Sequence, residues 1–251
     1  MEKLNIDGLL QKNKPKLAIS KGAILGIALF EIKFKGELKK QKGLYRICIK
    51  NGEKVFEALW RPKILEKYCS AKIKHKTKYK REVAFYLVAG FLGIDNVPPV
   101  VIRKIKGYSG SLQVRIIKAA QKRPKNLFNY LKSYNPRIIN KLAFLDFVCG
   151  NLDRNPHNLL VSGKKLWLID NGLSFFIGPP PKRFFQSKYQ VIRQFYNPKY
   201  RNEILRLVKL FRQDKKIKSL RKKLMPLLKK SEIRAIFQRV DCLTKDKLKY
   251  N

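Results

Sequence analysis

Short apolar runs dominate the first hundred positions. Residues 23–34 (AILGIALFEIKF) are apolar and partly alternating, and residues 43–50 (GLYRICIK) alternate less cleanly. Asn51-Gly52 follows, the strongest short hairpin signal. Residues 54–60 (KVFEALW) read as the return strand, stopped by Pro62. Together these runs predict a three-stranded antiparallel meander. The period then changes. Val83, Leu87 and Phe91, with Ala84, Val88 and Leu92, recur at helical spacing over residues 78–92, and Gly93 ends that helix. Residues 97–105 and 111–117 return to strand-like patterning, with Gly107 and Gly110 in the turn.

After residue 120 the pattern is helical. Residues 136–148 (PRIINKLAFLDFV) start with proline at a favourable first helical position, after Asn135 as cap, and Gly150 stops them. Asp146 falls on the face with Ile139, Leu142, Ala143 and Phe147. A carboxylate there needs partners, with Arg154 or backbone amides at hand. Two short strands follow, 159–161 and 166–170, joined by Ser162-Gly163-Lys164. Beyond residue 185 only helices are expected, one capped by Asn202 and one by Ser231, both amphipathic. The pattern predicts an α+β fold of two lobes. A small antiparallel sheet with one helix covers about residues 16–118, and a mainly helical lobe about residues 119–251.

Composition supports a packed chain, with 45% hydrophobic residues among 251. The longest apolar run, Gly22 to Phe30, is nine residues. A bilayer needs about 20. Met1 to Gln11 carries two acids and no apolar signal core, so a cytoplasmic location is expected. Cys48, Cys69, Cys149 and Cys242 are scattered without a CxxC pair, and His75 and His157 are the only histidines. Buried free thiols are expected rather than a zinc site. The net charge of +41 attracts polyanions, whether nucleic acid, anionic lipid or nucleotide phosphate. The lysines are spread along the whole chain, so charge alone does not choose among these, and a lysine-rich composition without a role is equally compatible. Phe184, Phe185, Tyr189, Phe195 and Tyr196 interleave with Lys and Arg; core packing is expected of them rather than base stacking.

The stretch that carries chemistry is Asp146 to Phe175. A helix delivers a loop with Asp153, Asn158 opens a hairpin, and Asp170 sits at the hairpin's end. Phosphoryl transfer needs these parts. One carboxylate orients the attacking hydroxyl, and a carboxylate with a carboxamide holds the metal bridging the nucleotide phosphates. Magnesium prefers hard oxygens and keeps several waters, so one Asp and one Asn suffice. Gly172 is expected to permit the sharp turn after Asp170.

This stretch resembles the phosphatidylinositol 3-/4-kinase-like branch of the kinase superfamily, with distant cousins among secretory-pathway and HipA-type kinases. That branch reads G-N-x-D-R-H-x-x-N and then I-D-H/F-G. Here the residues are Gly150-Asn151-Leu152-Asp153-Arg154-Asn155-Pro156-His157-Asn158 and Ile169-Asp170-Asn171-Gly172. Upstream, residues 80–99 look like the R-E-x-A-x-Y-L…V-P-P segment, and residues 110–113 (GSLQ) like the entry to the adenine-side hinge. The resemblance implies Asp153 as the catalytic residue, with Arg154 and His157 in the same loop, and Asn158 and Asp170 as ligands of Mg (or Mn). It implies Glu82 as the anchor of a basic residue at the ATP phosphates, and Gln113 on the nucleotide side. The family's phosphate-binding F-K-P is Trp60-Arg61-Pro62 here, so Arg61 takes the lysine position. Lys63 is next along and is expected to point to the opposite face of a strand. The family often has His two residues after the catalytic Asp, where this chain has Asn155. Gly22 and Gly26 are the candidates for a glycine-rich loop.

The expected activity is ATP- and Mg-dependent transfer of the γ-phosphoryl group to a hydroxyl on a lipid, a protein or a small molecule. A kinase-like module that binds nucleotide or an anionic partner without turnover is the alternative, suggested by Arg61. A basic nucleic-acid-binding protein is the third reading. Residues 201–230 hold twelve Lys and Arg against two acids. They are the polar faces of surface helices, or else a docking surface for an anionic membrane or nucleic acid.

Overall fold

A computed structural model describes residues 40–41, 44–51, 54–66, 77–105, 107–117, 119, 124–178, 192, 195 and 197–245. The expected strand at 23–34, the glycine-loop candidates, Cys69, His75 and four of the five interleaved aromatics lie outside them. The fifth, Phe195, packs on the core and pairs with Phe128 at 5.7 Å.

The strands are β1 (Lys40–Gln41), β2 (Leu44–Asn51), β3 (Lys54–Pro62), β4 (Val100–Ile105) and β5 (Tyr108–Val114). They form one antiparallel sheet in the order β1-β2-β3-β5-β4. Register decides the two faces. Ala58, Trp60, Leu112, Val114 and Val101 share one face and bury with Ile47 and Ile105 in a small core. On the other face Leu59 pairs with Gln113 and Arg61 with Ser111. Helix α1 (Lys78–Phe91) lies between the sheet and the rest of the molecule. No side chain of its own caps it. Glu66, from the turn after β3, accepts from the amides of Lys78 (3.0 Å) and Tyr79 (2.6 Å) instead, placing a carboxylate at the positive helix end.

Helices α2 (Pro124–Ser133) and α3 (Pro136–Val148) open the second lobe. Asn135 caps α3 as its sequence predicts, accepting from the Arg137 amide at 3.0 Å with Pro136 in the first turn. The hairpin β6 (Leu159–Ser162) and β7 (Lys165–Leu168) follows, then α4 (Arg201–Leu210), α5 (Asp214–Leu224) and α6 (Lys230–Lys245). One large core joins α1, α3, the hairpin and α4 to α6. Two predicted caps are corrected. Asn202 and Ser231 each fall inside the first turn of their helix; Tyr200 precedes α4 without a side-chain cap, and Glu232 accepts from the Lys229 amide at α6. Of the expected buried thiols, Cys149 is buried, whereas Cys48 and Cys242 are half-buried. No described helix is long and apolar enough to cross a membrane.

Candidate active site

The site is assembled around a fully buried ion pair. Helix α3 carries Asp146 inward, and the loop that follows turns back so that Arg154 meets it with both residues 0% exposed. Arg154 Nε donates to Asp146 Oδ2 (2.9 Å) and Nη2 to Oδ1 (3.0 Å). Nη2 also donates to Asn171 Oδ1 (2.5 Å), and Nη1 donates to the carbonyls of Asn158 (3.0 Å) and Ile169 (2.9 Å). All five guanidinium donors therefore have acceptors within the protein. The expected brace between Asp146 and Arg154 is present, and it holds the loop, the hairpin and the turn after it. Arg154 faces the interior and not the cleft. Its Cζ stands 5.7 Å from the centroid of the buried Phe85 ring on α1.

Asp153 is half-buried beside this hub. Its amide donates to Asn151 Oδ1 (2.8 Å). Its Oδ1 accepts from Asn155 Nδ2 (2.7 Å) and its Oδ2 from Asn158 Nδ2 (3.1 Å). Asn155 also accepts from the His157 amide at 2.8 Å, which shapes the short 3-10 turn Pro156–Asn158. His157 is exposed. Asn158 is buried, its nitrogen turned to Asp153, and the Ile169 amide donates to its carbonyl at 3.1 Å. That bond sets the Asn158 and Asp170 ends of the hairpin side by side.

Asp170 adopts the left-handed conformation, φ 52°, which Asp tolerates better than most residues. Its side chain is 46% exposed, and Arg61 Nη2 donates to its Oδ1 at 3.0 Å. Gly172 has a different task from the one expected of it. The positive φ belongs to Asp170, while a Cβ on Gly172 would stand 2.9 Å from Lys78 Cβ and 3.5 Å from Glu82 Oε1. Glycine there lets α1 approach the Asn171–Leu173 turn closely.

Glu82 is 4% exposed. It accepts from the Asn171 amide, and its Oε2 has no hydrogen-bond partner among the described residues. Burial pushes its carboxyl up to about 7, Arg61 pulling it down and Asp170 pushing it further up. Arg61 loses basicity to burial but gains more from Asp170 and then Glu82, so it stays above the usual guanidinium value. Because the folded Glu82 value lies above the ordinary 4.5, its stabilising contribution is full below about pH 4.5 and is lost as pH rises through about 7. Melting curves from pH 5 to 8 should show Glu82→Gln losing less stability than wild type as pH rises, by up to about 3 kcal/mol. Parallel curves would rule this out.

The remaining candidates are not all brought together. The strand ends at Pro62, so Lys63 lies exposed in the turn Lys63–Leu65 and has no opposite strand face to occupy. Gln113 shares the sheet face of Leu59 and Arg61, its Nε2 buried and unpartnered among the described residues. Four buried charges are not singled out by the sequence pattern used above: Glu66, Arg81, Glu232 and Arg239. The signal that exposed Asp146, a charge on an apolar helix face, was available for Glu232 and Arg239 among Ile233, Ile236, Val240 and Leu243.

The model of the family "Phosphatidylinositol 3- and 4-kinase" matches residues 61–230, most of the chain. The protein belongs to the phosphatidylinositol 3- and 4-kinase family. No curated protein matches it. Among solved structures, the Helicobacter pylori proinflammatory kinase CtkA is similar over 87% of this chain and 93% of its own, with TM-score 0.54 and 11% identity. A hydra Fam20 structure with sugar is similar over 90% of this chain and 86% of its own, with TM-score 0.52 and 16% identity. These likenesses show a kinase-like fold, as the sequence resemblance implied. The family match begins at Arg61 and includes every residue from Asp146 to Asp170 described above. Within the family pattern, the histidine position after Asp153 holds Asn155, whose amide contacts the Asp153 carboxylate directly.

Proposed function

We propose that the protein is an ATP- and magnesium-dependent phosphotransferase that moves the γ-phosphoryl group to a hydroxyl acceptor. The observation that carries this reading is the meeting of Asp153, Asn158, Asp170 and Arg61 at the open end of the β6–β7 hairpin in a chain of this family. The proposed nucleotide site lies where Arg61 of the sheet meets Asp170 of the helical lobe. The donors present fit magnesium or manganese. Asp170 offers a half-exposed carboxylate, and Asn158, its nitrogen on Asp153, offers its amide oxygen. Both are hard oxygens, and two protein ligands suffice for an ion that keeps waters. When bound there, the metal neutralises charge on the nucleotide phosphates.

Asp153 orients the acceptor hydroxyl and takes up its proton, its carboxylate fixed by the Asn155 and Asn158 amides. Arg61, which holds the Asp170 carboxylate in this structure, would meet the nucleotide phosphates from the same position beside Asp170. Glu82 remains behind Arg61 as its electrostatic anchor. Catalysis is positioning plus charge neutralisation.

A second reading has a specific observation in its favour. Arg61 stands where the family has lysine and already pairs with Asp170, which suits a module that binds nucleotide without transferring phosphate. The test is magnesium-dependent ATP turnover by the purified protein, with autophosphorylation read in parallel, against Asp170→Ala. Turnover in wild type and its loss in the variant is the expected result. A thermal shift with ATP but no turnover assigns the second reading. Neither shift nor turnover overturns the ATP site altogether.

A further inference from the structure

Helix α6 starts where the family match stops, at residue 230. It nevertheless sends two buried charges to the edge of the site. Glu232 and Arg239 stand seven residues apart, two turns along one face, at 6% and 3% exposure. Glu232 pairs with Arg81 of α1, also buried, and its other oxygen accepts from the Lys229 amide at 2.8 Å. Arg81 in turn donates to the carbonyl of Ser174 and, through Nε, to Thr77 Oγ1 at 3.2 Å. Arg239 donates to the carbonyls of Val148 (2.9 Å) and Phe176 (2.9 Å). It packs so closely under Gly150 (φ +55°) that a Cβ there would stand 2.8 Å from its Cζ.

The two arginines hold the carbonyls on either side of Phe175. That residue is fully buried and has φ 64°, a left-handed conformation that a bulky side chain rarely adopts. Such a conformation persists only where its surroundings over-determine it. Here the surroundings are the two guanidinium groups and the backbone bonds from the amides of Phe175 to Cys149 O, Phe176 to Gly150 O and Leu152 to Leu173 O.

We infer that Glu232 and Arg239 of α6 are positioning residues. They act through Arg81 and through the Ser174 and Phe176 carbonyls to fix the left-handed turn at Phe175. That turn fixes the segment behind Asp170 and the helix that carries Glu82. The inference rests on the phosphotransferase reading only for its effect on nucleotide, since the contacts exist without it. Helix α1 is then locked to the helical lobe by a buried ion pair and does not swing in and out of the site.

Hydrogen exchange on the full chain tests this, comparing wild type with Glu232→Gln and with the milder Arg239→Lys. Cutting the contacts should speed exchange tenfold or more in residues 78–91 and 171–178 together, with residues 136–144 of α3 and the β6–β7 hairpin unchanged. Mg·ADP affinity, read by calorimetry, should weaken about tenfold in the same variants. Arg81→Lys, which keeps the charge but loses the fork, should fall between. Faster exchange confined to α6, with residues 78–91 and 171–178 as in wild type, overturns the inference. Wild type that fails to bind Mg·ADP counts against the nucleotide reading alone, because the exchange arm still decides the positioning role. If Glu232→Gln does not fold, Arg239→Lys carries the same comparison at the Phe176 carbonyl.

Discussion

Asp146→Ala should lower the folding stability by about 3–5 kcal/mol, the loss expected when one partner of a buried ion pair is removed. Asp146 and Arg154 are both fully buried, and two of the five guanidinium bonds go to Asp146. Without that carboxylate the guanidinium remains in the interior with its charge uncompensated. Asn151 also loses its acceptor at 3.2 Å, so the loop before Asp153 loosens as well. Asp146→Asn keeps the shape and one acceptor and should cost less than alanine, though still more than a surface change. Denaturant unfolding of the purified variants gives the number directly. A loss below about 1 kcal/mol for alanine would mean that the hub is not what holds the loop.

Asp153→Asn should behave in the opposite way. Its carboxylate is half-buried and accepts from two amide donors; the asparagine oxygen can keep the Asn158 donor while its NH2 faces the Asn155 donor, so stability should fall by no more than about 1–2 kcal/mol. What it removes is the proposed acceptor for the hydroxyl proton. General-base steps contribute roughly 10²–10⁴-fold, so kcat should fall by that factor while KM for ATP stays near wild type, because Arg61 and Asp170 are untouched. The KM-against-kcat split separates this from damage to the nucleotide site, where both constants would change. A kcat within tenfold of wild type would remove Asp153 from the proposed base role.

The contrast between these residues mirrors what could be read from the chain. Helix α3 was legible because its cap, proline, apolar face and stop signal all agree locally, and the hairpin because its turn residues and strands are contiguous. The need of Asp146 for a partner was legible too, from its place on an apolar face. What escaped was decided by distant segments. The cap of α1 comes from Glu66, twelve residues from Lys78. The task of Gly172 is set by Lys78 and Glu82, which no turn rule can report. Lys63 was expected on a strand face, yet the strand ends one residue earlier, at Pro62, which lacks an amide to continue the ladder. Asn202 and Ser231 were plausible caps by residue type, but the helices begin just before them.

The separations within the Arg154 hub carry a consequence for how the molecule forms. Its hydrogen-bond partners lie 4, 8, 15 and 17 residues away. Closing such short loops costs little chain entropy. The bond between Arg61 and Asp170 spans 109 residues and must wait for both lobes. Contact order therefore orders the events. The hub, with Asp153 and Asn158 already in place on it, should be able to assemble early as a local nucleus. The contact between the lobes is completed late, when the sheet arrives with Arg61. A slow-folding variant would then accumulate a helical lobe with its loop contacts arranged and its contact with the sheet still unmade.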